Sequence, residues 1–123
     1  MEKILIVDDN RPSRDLIRAI LKKVHCNVVE ATHGQEALDL MQQERPDLVL
    51  LDIDMPGLDG LAVIKKIRED TSLADLPVVA VTAFAMEGDR EKGMAAGFTA
   101  YLTKPVRAAI LRQQVQQLLG ERA

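Results

Sequence analysis

Four short apolar runs in this sequence stop at residues able to do chemistry. Lys3 to Val7 runs into Asp8 and Asp9, Asp47 to Leu51 into Asp52, Val78 to Val81 into Thr82, and Thr99 to Leu102 into Thr103 and Lys104. Taken singly, each acid reads equally well as a capping or turn aspartate. Drawn within a few ångströms of one another, Asp8, Asp9 and Asp52 would repel and raise each other's pKa unless a cation compensated them. Oxygen ligands with no Cys or His cluster suit a hard ion, and Mg²⁺ best fits one or two carboxylates, a carbonyl and several waters. The ion alone could be structural. Thr82 and Lys104 add donors suited to the oxygens of a phosphoryl group, which points to chemistry.

The elements around these residues decide whether they meet. The runs at Asp47 to Leu51 and Val78 to Val81 are apolar without alternation, as in strands covered on both faces. Pro77 opens the second of them, a tolerated place for a strand proline. Val28 and Val29 centre another short strand that ends near Ala31. Between the strands run helical patterns. Asn10 is the expected N-cap of the first helix, with Pro12 in its first turn. Leu16, Ile17, Ile20, Leu21 and Val24 form its buried stripe, opposite Arg14, Asp15, Arg18 and Lys22.

The second helix follows Gly34, carries Ala37, Leu38 and Met41 inward, and stops at Arg45-Pro46. Leu61, Val63, Ile64 and Ile67 predict a third after Gly60. A fourth is expected from near Met86 to Ala96, weakened by Gly88 and Gly93 and capped by Gly97. The last buries Ala108, Leu111, Val115 and Leu118. Strictly alternating strands and helices predict an α/β fold, a doubly wound five-stranded parallel sheet with five helices and right-handed crossovers. In the strand order 2-1-3-4-5 the carboxyl ends of strands one, three and four are neighbours where the order reverses, the usual binding crevice.

At 123 residues and 47% apolar, the chain supports one sizeable core and is expected to form a single domain, residues 1–123. With two Phe, one Tyr and no Trp, that core is aliphatic. A net charge of -3 and scattered Lys and Arg give no nucleic-acid surface. No run is long enough for a membrane span, and the opening lacks a signal-peptide pattern. With the lone Cys26 unable to form an internal disulfide, a reduced cytoplasm is the expected compartment.

DD at Asp8-Asp9, LLDIDMPGLDG around Asp52, VTAFA with Thr82 and AYLTKP with Lys104 occur in an order and spacing that resemble the receiver domain of two-component response regulators, a CheY-like member of the flavodoxin-like folds. The resemblance covers essentially the whole chain and is most similar to stand-alone regulators of bacterial cell-cycle or relay signalling. It implies that Asp52 is the phosphoacceptor, attacking the phosphorus of a phosphohistidine or of a small donor such as acetyl phosphate. It further implies Mg²⁺ held by Asp9, Asp52 and the backbone carbonyl of Asp54, with Asp8 acting mostly through water. Thr82 and Lys104 would each contact a phosphoryl oxygen. Thr82 and Tyr101 match the family's switch positions. The implied partners are a histidine kinase or histidine phosphotransfer protein, and a downstream protein or second copy docking on the face made by the fourth helix, fifth strand and fifth helix.

The only catalysis expected is of the chain's own phosphorylation and dephosphorylation. Asp54 is often uncharged or an amide in relatives, and with Phe84 it borders the route of a hydrolytic water; it could orient that water or repel the phosphoryl group. His25 and His33 are read as surface or packing residues. A receiver module of a hybrid kinase is the closest rival reading, although Met1 directly before the first strand and the absence of an output region after the last helix favour a free-standing protein. A phosphorylation-independent binding module would have lost part of the acidic set. A flavin protein would need a Ser/Thr/Gly-rich first loop and more aromatics.

Overall fold

The computed structural model describes residues 1–57, 59–83 and 88–122. Strands β1 (Glu2–Val7), β2 (Cys26–Ala31), β3 (Leu48–Asp52), β4 (Val78–Thr82) and β5 (Ala100–Thr103) alternate with helices α1 (Arg11–Leu21), α2 (Gly34–Glu44), α3 (Gly60–Glu69), α4 (Asp89–Ala96) and α5 (Ala108–Arg122). The pairings are parallel and the sheet order is β2-β1-β3-β4-β5, as the sequence pattern predicts.

Alternation along the buried strands splits the core in two. Leu5, Val7, Val49 and Leu51 face Met41 of α2 and Ile64 and Ile67 of α3. Ile4, Ile6, Leu48 and Leu50 face Ile17, Ile20 and Leu21 of α1 and Leu111, Val115 and Leu118 of α5. All residues of β3 and β4 are buried, and fully burying a side chain of this size contributes about 1.5–3 kcal/mol. The central strands are therefore the firmest platform from which to hang a site.

Helix ends follow local chemistry. Asn10 caps α1 by accepting a hydrogen bond from Ser13 N–H at 2.8 Å, with Pro12 in the first turn. Arg45, in the left-handed region at φ 49°, ends α2 before Pro46. Two expected core residues are exposed instead: Leu16 at 52% and Leu61 at 46%. Each sits about a quarter to a third of a turn from the middle of its helix's buried stripe, beyond the arc that one sheet face can cover.

Gly88 lies outside α4 rather than within it. It is the N-cap, at φ +97°, a conformation that glycine adopts without a Cβ clash. Gly93 is inside the helix for a packing reason, because a Cβ there would stand 3.0 Å from the Tyr101 ring. The expected helix start near Met86, and Phe84, fall outside the described residues.

Candidate functional site

Register brings the strand tips together. Val7 pairs with Leu51, Asp52 with Val81, and Thr82 with Thr103. Three backbone bonds carry the ladders one step further: Asp8 N–H to Ala31 O, Ile53 N–H to Val81 O, and Lys104 N–H to Thr82 O. Asp8, Asp52, Thr82 and Lys104 thus leave the sheet at one edge.

Asp8 (1% exposed), Asp52 (4%) and Thr82 (0%) are the buried polar side chains among the described residues. Asp9 is exposed, yet carboxylate oxygens of Asp8, Asp9 and Asp52 all lie within 4.8 Å of one another. Lys104 Nζ donates to Asp52 Oδ2 at 2.9 Å and stands 3.8 Å from Asp8 Oδ2. Asp52 Oδ1 accepts from Asp54 N–H, and Asp8 Oδ1 from Asn10 N–H, both at 2.8 Å. Asp8 Oδ2 is buried with no hydrogen-bond donor among the described residues. Such an oxygen is costly to leave unmatched.

The electrostatics agree. Burial, aided by the charge of Asp8, pushes the Asp52 carboxyl above its ordinary range, against the Lys104 and Asp54 hydrogen bonds that pull it down. Burial alone would lower the Lys104 ammonium, but its bond to Asp52 and the charges of Asp52, Asp8 and Asp54 hold it higher than usual. One ammonium facing three clustered carboxylates leaves negative charge in excess. An orphaned buried oxygen within an oxygen-only donor set fits a hard divalent cation.

Asp54 borders the cluster on the β4 side. Its carboxylate points to β4, accepting from Thr82 Oγ1–H at 2.6 Å and Ala83 N–H at 2.5 Å. Tyr101 is buried, and burial pushes its phenol up, while Thr82 acts on its hydroxyl and pulls it down. Asp54 thus meets Thr82, one of the two residues at the expected switch positions, through a hydrogen bond, and Thr82 in turn influences Tyr101.

Several supporting residues were not singled out in the sequence. Arg14, expected to face water, donates to Asp8 O at 2.8 Å and to Glu30 Oε1 at 3.0 Å, fixing the loop behind the acidic pair. Asp59 caps α3 by accepting from Leu61 N–H and Ala62 N–H. Arg68 of α3 donates to Leu76 O (2.7 Å) and Gly97 O (2.8 Å), tying the approach to β4 to the end of α4. His25 is exposed at the opposite end of the sheet, before β2. His33 caps α2 through Nδ1, which accepts from Glu36 N–H, and with Asp9 it lines a cleft of about 380 Å³.

Residues 4–116 match the family model of the response regulator receiver domain. The chain belongs to that family. It is a phosphorylation-accepting domain of two-component signalling, whose partners in general are histidine kinases or phosphotransfer proteins. The polar-differentiation response regulator DivK of Brucella anthropi is 38% identical over 120 residues, 98% of each chain. Among solved structures, the receiver domain of a Pseudomonas aeruginosa sensor histidine kinase, with magnesium coordinated in its active-site cleft, is 34% identical with a TM-score of 0.87, covering 97% of this chain and 98% of that one. The chemotaxis response regulator CheY4 of Vibrio cholerae is 29% identical, also with a TM-score of 0.87, over 96% and 98%. No helix among the described residues is long and apolar enough to cross a membrane.

Proposed function

We propose that this chain is a single-domain, cytoplasmic response regulator that takes a phosphoryl group on Asp52 from a phosphohistidine donor. One observation carries the reading: a buried carboxylate at the centre of a strand-tip cluster, bonded to an ammonium and beside the unmatched Asp8 Oδ2. In the transfer an Asp52 oxygen forms a bond to phosphorus, the bond from phosphorus to imidazole nitrogen breaks, and the imidazole leaves with the electron pair. Asp9, Asp52 and the Asp54 carbonyl would hold Mg²⁺, with Asp8 acting mostly through water. Bound there, the ion supplies positive charge against the phosphoryl oxygens.

The chain's own residues do the rest. Asp54 N–H and Lys104 fix the two oxygens of Asp52, and Lys104 is placed to follow the charge as it passes to the phosphoryl group. Thr82 offers a hydroxyl to a second phosphoryl oxygen. Output runs through Thr82 and Tyr101 to the surface of α4, β5 and α5, where a downstream protein or a second copy would dock. The DivK relative, itself named a response regulator, supports the regulator reading. The likeness to a sensor-kinase receiver favours, as a second reading, a receiver module of a hybrid kinase.

The test is intact mass after brief incubation with acetyl phosphate. Wild type with Mg²⁺ should gain about 80 Da, one phosphoryl group. D52N, and wild type in chelator, should gain nothing. Equal incorporation in D52N would sink the assignment.

A further inference from the structure

The Asp54 carboxylate sits on donors that a phosphorylated Asp52 would need. A phosphoryl group brings three strong acceptor oxygens to this edge. Lys104 is bonded to Asp52 already and can serve one of them. The Thr82 hydroxyl and the Ala83 N–H lie next along the same edge, and both are spent on Asp54, one on each carboxylate oxygen, at 2.6 and 2.5 Å. Asp54 is held in place from its other side, because its own N–H is bonded to Asp52 Oδ1.

We propose that Asp54 is a resident competitor for the phosphoryl group: its side chain occupies Thr82 and Ala83 in the resting protein and must release them when Asp52 is modified. Asp54 is thus a positioning residue that restrains phosphorylation, in addition to whatever its backbone carbonyl contributes to metal binding. The inference rests on the reading of Asp52 as phosphoacceptor. Two acceptors cannot share one hydroxyl proton, so the carboxylate lost from Thr82 is subtracted from whatever the phosphoryl oxygens gain there. Charge-assisted bonds of this kind are the stronger class, which makes the competition measurable.

Beryllium fluoride, a phosphoryl mimic that adds to carboxylates, is the probe, followed by ¹⁹F NMR at saturating Mg²⁺. Asp54→Ala removes the competitor and keeps the backbone carbonyl; half-saturation should move about tenfold lower, equivalent to about 1.4 kcal/mol. Asp54→Asn, which retains one acceptor oxygen and no charge, should fall between. Simple relief of charge repulsion would give the same gain whether or not Thr82 has a hydroxyl. The decisive arm is therefore the double-mutant cycle, in which the D54A gain measured in a T82A background should shrink to about threefold or less. A D54A protein no tighter than wild type, or a gain undiminished in T82A, would overturn the inference while leaving Asp52 as acceptor. Wild type that forms no complex at all would instead remove the Asp52 reading and this inference with it.

Discussion

Replacing Asp8 by Asn should stabilise the metal-free protein and weaken its response to Mg²⁺. Asp8 is buried, and its Oδ1 bond from Asn10 N–H survives in an amide of the same shape. The charge is what changes. At an effective dielectric of about 20, two carboxylates at the cluster's outer limit of 4.8 Å repel by about 3.5 kcal/mol, and Asp8 faces two such neighbours. The ammonium of Lys104 at 3.8 Å returns about 4.4 kcal/mol on the same scale. Solvent around the exposed Asp9 weakens that repulsion, which leaves a net relief of about 1–2 kcal/mol on neutralising Asp8. For a chain of this length the gain corresponds to about 3–8 °C in Tm.

Urea denaturation of wild type and D8N in chelator measures it. Repeating the titration in Mg²⁺ supplies the opposite sign, since an ion present at a hundred times its Kd stabilises wild type by about 2.7 kcal/mol and D8N by less. A D8N protein less stable than wild type in chelator would show that the fold already compensates the Asp8 charge. The case for a missing cation would fail with it.

Neutralising Asp9, the exposed acid of the cluster, should weaken Mg²⁺ binding about tenfold or more, and by more than D8N does, as followed by metal-dependent chemical shifts; equal affinities for D9N and wild type would place the ion elsewhere. Arg68→Met removes the donors to Leu76 O and Gly97 O and should cost about 2–3 kcal/mol by urea denaturation. Arg68→Lys should recover little of that, because an ammonium lacks the fork that reaches both carbonyls. The hydrogen bond from Arg18, with help from Arg14, holds the Glu30 carboxyl below its ordinary range. Its contribution is therefore complete above that range and fades as pH falls through the depressed folded-state value. Glu30→Gln should cost about 1 kcal/mol at pH 7 and progressively less in acid; a cost independent of pH would assign the effect to packing.

The strand tips were legible because apolar runs buried on both faces end abruptly, and the polar residues after each are carried to the same edge by a parallel register. Asp8, Asp52, Thr82 and Lys104 could be placed together on that ground alone. What was hidden depends on where side chains turn after leaving the backbone. Asp54 and Thr82 are far apart in sequence, and nothing in LLDIDMPG says that the carboxylate of Asp54 will bond to β4. Arg14 looked like a charge on a solvated helix face, and nothing in the sequence marked Arg68, yet long guanidinium stems let both reach loop carbonyls. His33 in HGQE could have been read as a cap, since Glu36 stands three residues on and reaches back to Thr32 N–H at 2.6 Å. Gly93 was read for helix propensity, and its packing role against Tyr101 required the tertiary contact.

The central claim is that Asp52, and no other acid of the cluster, carries the phosphoryl group. Borohydride reduces an acyl phosphate to an alcohol and leaves free carboxylates untouched, so an aspartate that carried phosphate is converted to homoserine and recorded permanently. Wild type incubated with a phosphohistidine donor and Mg²⁺, reduced at once, digested and sequenced by mass spectrometry should show homoserine at position 52 only. Homoserine at Asp8, Asp9 or Asp54, or none anywhere while the donor loses its phosphate, would contradict the account.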